Sequence, residues 1–187
     1  MNRTFSKIII LVFIISSLAG CMPVTLIQQS NQNYKKSILT AQLPVGWAKI
    51  RNFDCLLHMS KDGLTLQNIF ISRINIDKEL PLTKRKITAQ MLPHELAQLI
   101  IDETQLNKEF LNLTVLSNEP YTSLPVAAFL IEFKYTNNDF VPYHVKEIGF
   151  VQGNYYYQIR YEACEQHYYH DGIKDFDEFL KTLKVII

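Results

Sequence analysis

Four side chains that commonly bind metal ions lie close together near the end of the sequence. Cys164, His167, His170 and Asp171 offer sulfur, nitrogen and oxygen donors, which suit zinc or copper. His167 and His170 are three positions apart, so one helical turn would bring both imidazoles to the same face. The spacing matches no established metal-binding motif. That mismatch favours the other interpretation, a junction between a strand and a helix where polar residues cap the helix and are solvated.

The sequence contains no recognisable catalytic motif. His94-Glu95 would suit a zinc protease, but the second histidine would have to follow at the position of Gln98. No serine lies in a Gly-x-Ser-x-Gly turn, and no glycine-rich loop is present to bind phosphate. A nucleophilic Cys55 or Cys164 would need a histidine to orient it. We therefore predict that the protein is not an enzyme and has no cofactor.

The first 21 residues have the layout of an export signal. Arg3 and Lys7 precede an uncharged apolar run, residues 8–18, which is shorter than the roughly 20 residues that span a bilayer. The run ends in Leu18-Ala19-Gly20-Cys21, which resembles the lipobox of bacterial lipoproteins. The resemblance implies that residues 1–20 are removed and that Cys21 receives lipid on its sulfur. An ordinary signal peptide followed by a chance cysteine is the alternative.

The lipobox resemblance also implies a location and a set of partners. In Gram-negative lipoproteins an aspartate directly after the lipidated cysteine retains the protein in the inner membrane, and this chain has Met22 there. We therefore expect the periplasmic face of the outer membrane, with the inner membrane as the alternative. Loss of Arg3 and Lys7 leaves 17 basic and 18 acidic residues, a net charge of −1. That balance excludes nucleic acid as a partner, and we expect the membrane and another envelope protein instead.

Export makes a disulfide between Cys55 and Cys164 a further possibility. These are the cysteines that remain once Cys21 carries lipid, and an oxidising compartment favours pairing. The bridge would require Cα atoms within about 7 Å of each other, which a sequence cannot establish. If the disulfide forms, Cys164 cannot bind a metal through its thiolate, and a metal site would have to rely on His167, His170 and Asp171.

The hydropathy pattern predicts one folded domain over residues 37–187. Residues 21–36 are polar and lack periodicity, and we predict that they form a flexible tether. Helical spacing of apolar residues predicts helices over 88–107, with Pro93 in the first turn, and over 172–183. Strands are predicted at 38–43, 55–59, 64–75, 113–118, 127–136, 145–152 and 155–163, the last two joined by a Gly153-Asn154 turn.

The order of these elements resembles the PsbP-like and Mog-like fold. The resemblance rests on Leu43-Pro44-Val45-Gly46-Trp47, the long strand at 64–74, the Pro93-led helix, Leu124-Pro125-Val126-Ala127-Ala128-Phe129, and Tyr155-Tyr156-Tyr157-Gln158-Ile159 before a Phe-rich helix. It implies an α+β fold in which helices flank an antiparallel sheet as an α/β/α sandwich. The family includes a photosystem subunit, a Ran-binding protein and many bacterial lipoproteins, and it has no shared catalytic motif.

Tyrosines crowd the last predicted hairpin and the segment after it. Alternation along a strand sends about half of them to each face. Tyr combines apolar area with a polar tip, which suits both half-buried sheet positions and binding surfaces. Core packing is the expected role for the face of Tyr155. Tyr156 and Tyr168 are candidates for either core packing or an exposed binding patch. The resulting functional hypothesis is a non-catalytic binding or accessory module, with a small-ligand or metal-binding lipoprotein as the alternative.

Overall fold

The computed structural model describes residues 24–29 and 32–186, so the expectations for residues 1–23, including lipidation of Cys21, lie outside it. The helices are α1 (Pro93–Gln105) and α2 (Tyr168–Thr182). The strands are β1 (Val24–Leu26), β2 (Asn33–Lys36), β3 (Leu39–Gln42), β4 (Ala48–Ile50), β5 (Leu57–Lys61), β6 (Gln67–Asn75), β7 (Leu111–Tyr121), β8 (Ala128–Thr136), β9 (Pro142–Gln152), β10 (Tyr155–Cys164) and β11 (Lys184–Val185).

Eight strands form one antiparallel sheet in the order β1-β4-β5-β6-β10-β9-β8-β7. A smaller antiparallel sheet has the order β11-β3-β2. The predicted α+β class, with an antiparallel sheet and two helices, is therefore confirmed. The predicted helix over 88–107 is shorter at its start, because the chain becomes helical only at Pro93. The last helix begins earlier than predicted, at Tyr168.

The β9–β10 hairpin has the two-residue turn that its sequence predicts. Gly153 has a φ of 57°, a left-handed conformation that glycine adopts without a steric penalty. The turn pairs Gln152 with Tyr155 and thereby sets the partner of every later residue in the hairpin.

Alternate residues of the large sheet belong to two separate apolar clusters. Tyr157, Ile159 and Tyr161 of β10 pack in one cluster with Phe176, Phe179 and Leu180 of α2. Phe129, Ile131 and Phe133 of β8 pack in the other cluster with Leu96, Leu99 and Ile100 of α1. We call the two sides of the sheet the α2 face and the α1 face. Apolar side chains on both faces agree with the long buried strands that the sequence predicts.

The tether prediction is wrong at residues 24–26 and 33–36, which form strands. Residues 24–26 pair with β4, and residues 33–36 pair with β3, so the folded domain begins before residue 37. Ile27 is 1% exposed and Tyr34 is 5% exposed. Each contributes one large apolar side chain to the cluster on the α2 face. Two such isolated anchors in a polar segment give no periodic pattern, which is why the sequence suggested a tether.

Candidate functional site

A charged group is enclosed within the α1 face, between apolar residues. The hairpin register places Glu147 of β9 directly opposite Arg160 of β10. Arg160 Nε donates to Glu147 Oε2 at 2.8 Å, and Tyr156 Oη donates to Glu147 Oε1 at 3.2 Å. A second guanidinium nitrogen of Arg160 lies 3.5 Å from a carboxylate oxygen of Glu162. We call Glu147, Tyr156, Arg160 and Glu162 the Arg160 cluster.

Burial controls the electrostatics of the Arg160 cluster. The side chain of Glu147 is fully buried, and that of Arg160 is 15% exposed. Burial raises the pKa of Glu162 above its ordinary value, against the opposite effect of Arg160. Burial alone would lower the pKa of Arg160, but Glu147 and Glu162 outweigh it and raise that pKa. Burial, together with Glu147, also raises the pKa of Tyr156.

The Arg160 cluster has little capacity to bind or transform a ligand. The guanidinium already faces two carboxylates, and its flat surface lies 5.7 Å from the ring centre of Phe133 and 5.9 Å from that of Phe110. Glu147 accepts from both Arg160 and Tyr156 and has no access to solvent. Because these buried donors and acceptors satisfy one another, the network tolerates few alternative arrangements. It therefore helps to fix the register between β9 and β10.

A second charged group lies on the α2 face, formed by residues of β8, β9 and helix α2. Lys146 Nζ donates to Asp177 of α2 at 2.9 Å and lies 3.9 Å from Glu132 of β8. His144 Nε2 is 3.6 Å from the other Glu132 oxygen, an ion-pair distance rather than a hydrogen bond. The His144 ring stacks on Tyr169 of α2 with ring centres 3.6 Å apart. His144 and then Lys146 lower the pKa of Glu132, while burial acts the other way. We call Glu132, His144, Lys146 and Asp177 the Lys146 cluster.

The most open part of the α1 face lies over β4 and β5. A cavity of about 590 Å³ is lined there by Ile50, Arg51, Asn52, Phe53, Asp54, His58 and Leu64. His58 Nε2 is 3.0 Å from Asn68 Oδ1, and its ring stacks on Phe70 at 4.5 Å. The other ring nitrogen of His58 is buried without a hydrogen-bond partner from the protein. His58 therefore contributes to the cavity lining a side chain with one unsatisfied nitrogen.

The electrostatics at Cys55 oppose a nucleophilic role. Burial raises the pKa of the Cys55 thiol, and the neighbouring Asp54 carboxylate raises it further. A reactive cysteine needs the reverse, a lowered pKa beside a positive group or a helix N-terminus. The Cys55 thiol therefore stays protonated at neutral pH.

The structure does not assemble the predicted metal site. Asp171 pairs with Lys61 at 3.3 Å, while the rings of His167 and His170 pack edge-on against Tyr168 and Tyr169. Cys164 Sγ donates instead to the Thr65 carbonyl, at 3.4 Å. Within residues 24–29 and 32–186, no three His, Cys, Asp or Glu side chains are grouped to hold a metal ion. The segment is the junction between β10 and α2, as the alternative interpretation has it.

The possible disulfide between Cys55 and Cys164 is not present in the structure, where both thiols are free. Leu56, next to Cys55, donates its backbone N–H to Ile71, whereas the Cys164 N–H donates to Leu66. Ile71 and Leu66 are five residues apart along the chain, about 16 Å in extended conformation. The two cysteines therefore lie towards opposite ends of the sheet, well beyond the roughly 7 Å between Cα atoms that a bridge requires.

The tyrosine candidates belong to the interior rather than to a binding patch. Tyr156 is 1% exposed and donates to Glu147, so core packing is the one of its two candidate roles that the structure shows. Tyr168 is half-buried against the cluster on the α2 face, and its carbonyl accepts from Tyr161 Oη at 2.9 Å. Both residues serve packing and hydrogen bonding within the domain.

The sequence interpretation missed Glu147 and Arg160, although a usable signal existed. A two-residue turn at Gly153-Asn154 fixes which residues face each other across the hairpin. Counting outward from the turn pairs Glu147 with Arg160, two opposite charges within apolar strands. The turn residues alone are therefore sufficient to predict that pairing.

Comparison with known proteins shows the fold and nothing narrower. No protein-family model matches the chain, and no curated protein matches it. A solution structure of cyanobacterial PsbP (CyanoP) from Synechocystis matches with a TM-score of 0.55 and 14% identity, over 89% of this chain and 95% of that one. LpqN of Mycobacterium tuberculosis, described as involved in cell envelope biogenesis, matches with a TM-score of 0.52 and 10% identity, over 89% and 92%.

A crystal structure from Bacteroides thetaiotaomicron also matches, with a TM-score of 0.51 and 9% identity. It covers 84% of this chain but only 49% of the other, so the chain spans about half the length of that protein. Together these likenesses define the class: the chain has an α+β fold like that of PsbP-like proteins. The predicted resemblance is thus confirmed at the level of the fold.

Proposed function

We propose that the protein is a lipid-anchored, non-catalytic binding or accessory module of the bacterial envelope, folded as an α/β/α sandwich. The observation that carries this proposal is the position of Leu18-Ala19-Gly20-Cys21, immediately before a PsbP-like domain. Lipid on Cys21 would hold the domain at the periplasmic face of the outer membrane, since Met22 is not the aspartate of inner-membrane retention.

The charged groups of the described residues support a role other than catalysis. An active site usually gathers titratable groups with perturbed pKa values in a cleft. Here the buried charges of the Arg160 cluster satisfy one another, and Lys146 is held by Asp177 and Glu132. Among the described part of the chain, no helix is long and apolar enough to cross a bilayer. The proposal assigns attachment to a membrane to lipid on Cys21, because of the Leu18-Ala19-Gly20-Cys21 sequence.

The proposal includes a protein partner in the envelope. The likeness to LpqN, described as involved in cell envelope biogenesis, motivates this part. The likeness shows a shared fold only, so the partner's identity is open to experiment. Chemical cross-linking in intact cells, followed by mass spectrometry, would identify it. Cross-links that depend on Cys21 and on membrane location would support an envelope role.

Metabolic labelling tests the anchor with a matched set of variants. The chain has three cysteines, so Cys21→Ser can be compared with Cys55→Ser and Cys164→Ser. Cells fed an alkyne-tagged palmitate should label the wild type and both control variants, while Cys21→Ser should remain unlabelled. Membrane fractionation should place the labelled protein with the outer membrane, and Met22→Asp should move it to the inner membrane. Equal labelling of Cys21→Ser and wild type would contradict the proposal.

Binding of a small ligand is a second candidate function, favoured by the cavity beside His58. His58 lines this cavity, and its Nδ1 is buried without a hydrogen-bond partner from the protein. Native mass spectrometry of protein purified from the envelope would reveal a bound compound as a discrete added mass. His58→Phe should abolish that mass, whereas His170→Phe, at an exposed histidine elsewhere, should preserve it. Absence of any added mass would argue for the module without a ligand.

A further inference from the structure

Several large apolar side chains are exposed on β1, the edge strand that follows Cys21 in the sequence, and in the two loops that flank β5. Val24 is 57% exposed, Leu26 52%, Phe53 85% and Leu64 52%. Isolated exposed apolar residues are ordinary, but a contiguous group marks a surface that contacts something apolar. We call these four residues the β1-edge patch.

The strand register places the β1-edge patch on one side of the sheet. Val24 lies opposite Ile50, and Leu26 lies opposite Ala48, so each pair projects to the same face. Ile50 lines the cavity beside His58 together with Phe53 and Leu64. The patch therefore extends along the α1 face at β1, β4 and β5, whereas α1 itself packs over β7, β8 and β9.

The short distance to Cys21 indicates what this patch contacts. Val24 is the third residue after Cys21, and three residues span at most about 11 Å. Lipid on Cys21 would place that residue in the interfacial layer, which is itself several ångströms thick on each side of the hydrocarbon. β1 would then have to lie at or within the headgroups, without a tether long enough to hold the domain away.

The chemistry at the border of the patch fits a lipid surface. Arg51 is exposed, and its guanidinium lies 4.9 Å from the centre of the Phe53 ring. An arginine beside an exposed aromatic ring can leave its charge among headgroups while its stem and the ring enter the apolar layer. Phe53 and Arg51 thus form the kind of pair found where proteins meet bilayers.

We infer that the β1-edge patch rests on the bilayer, so that the domain is docked against the lipid surface rather than suspended from it. This inference rests on the proposed lipidation of Cys21. It commits to lipid as the occupant; a second copy of the chain at the exposed β1 edge is the competing outcome. Docking would fix the orientation of the domain, with β7 at the far edge of the same sheet turned away from the membrane.

Fluorescence quenching by lipid tests the docking directly. The lipidated mature protein would be reconstituted in vesicles whose phospholipids carry bromine on their acyl chains. A Phe53→Trp variant reports on the patch, and Leu116→Trp is its control. Leu116 is 48% exposed on β7, seven strand spacings from β1, or roughly 33 Å. Trp47 is completely buried and gives the same background in both variants.

Docking predicts that brominated lipid quenches the added fluorescence of Phe53→Trp at least several-fold more than that of Leu116→Trp. Equal, weak quenching of both variants, with acylation of Cys21 verified by mass, would overturn docking and leave the proposed function standing. A blue-shifted but unquenched Phe53→Trp would assign the patch to a second copy and also overturn it. An unacylated Cys21 would remove the basis of both proposals.

Discussion

The two charged clusters share strand β9, yet the partners of their two cations differ in exposure. Lys146 and Glu147 are consecutive residues, so the pleat of β9 turns them to opposite faces of the sheet. Glu147 is enclosed with Arg160, and neither has an exposed partner. Lys146 instead reaches Asp177, whose side chain is 43% exposed on α2.

This contrast shows that the cost of losing a charge depends on the face that carries it. Desolvation makes a buried pair a weak source of net stability, but it makes an unpaired buried charge very unfavourable. Breaking an ion pair near solvent lowers the free energy of unfolding only a little, because water replaces the lost partner. The Arg160 cluster should therefore fix the sheet register, whereas the Lys146 cluster should only adjust how α2 sits on the sheet.

The largest effect is expected when one partner of the Arg160 cluster is removed. Arg160→Met keeps an apolar stem but leaves Glu147 buried without its cation. We expect the free energy of unfolding to fall by about 3–5 kcal/mol. Urea denaturation followed by circular dichroism would measure the loss.

The double variant Arg160→Met/Glu147→Leu separates pairing from packing. With both charges gone, no buried carboxylate is left unpaired, and most of the lost stability should return. If the double variant is as unstable as the single variant, the packing of the arginine stem, rather than the ion pair, accounts for the loss.

The pH dependence of two glutamates should have opposite signs. The pKa of Glu132 is lowered from its ordinary 4.5 in the folded state, so its contribution to stability is present above that value and is lost as pH falls through the folded pKa. The pKa of Glu162 is raised from 4.5, so the folded state favours its neutral form. The stability due to Glu162 is therefore full below 4.5 and declines as pH rises through its folded pKa.

The variants Glu132→Gln and Glu162→Gln test the two opposite pH dependences. Between about pH 3.5 and about pH 7, the free energy of unfolding of Glu132→Gln should fall further below that of the wild type as pH rises. Over the same interval, the free energy of unfolding of Glu162→Gln should rise relative to that of the wild type. Urea unfolding at several pH values gives both trends. Parallel trends in the two variants would mean that the two faces do not differ electrostatically.

The smallest effect is expected for Lys146→Met. Its partner Asp177 is close to solvent, so we expect a loss of only about 0–1 kcal/mol. The loss should shrink further at high salt, because exposed ion pairs are screened. A loss as large as that of Arg160→Met would remove the distinction between the clusters.

The sequence predicted the parts of the fold that depend on local signals. The Gly153-Asn154 turn, the amphipathic helices and the long strands all follow from spacing and turn residues within a short segment. The position of the turn also determines that Glu147 pairs with Arg160 across the hairpin. The burial of this pair could not be predicted from the turn residues, because it depends on which strands and helices cover the α1 face.

Apart from the helix boundaries, the predictions that differ from the structure concern relations between distant segments. β1 and β2 are three and four residues long, and each is a strand only because β4 and β3 pair with it. The separation of Cys55 from Cys164 follows from the register of β5 and β10 on β6, which no residue near either cysteine encodes. His167 and His170 remained apart from other ligands for the same reason.

The central claim, that a lipid on Cys21 anchors this PsbP-like domain, is tested most directly by the intact mass of the mature protein extracted from membranes. The account predicts a chain that begins at Cys21 and carries the added mass of at least two acyl chains. Two chains are expected because a single chain anchors a protein only marginally. A mature protein that begins elsewhere, or one whose Cys21 carries no lipid, would contradict it.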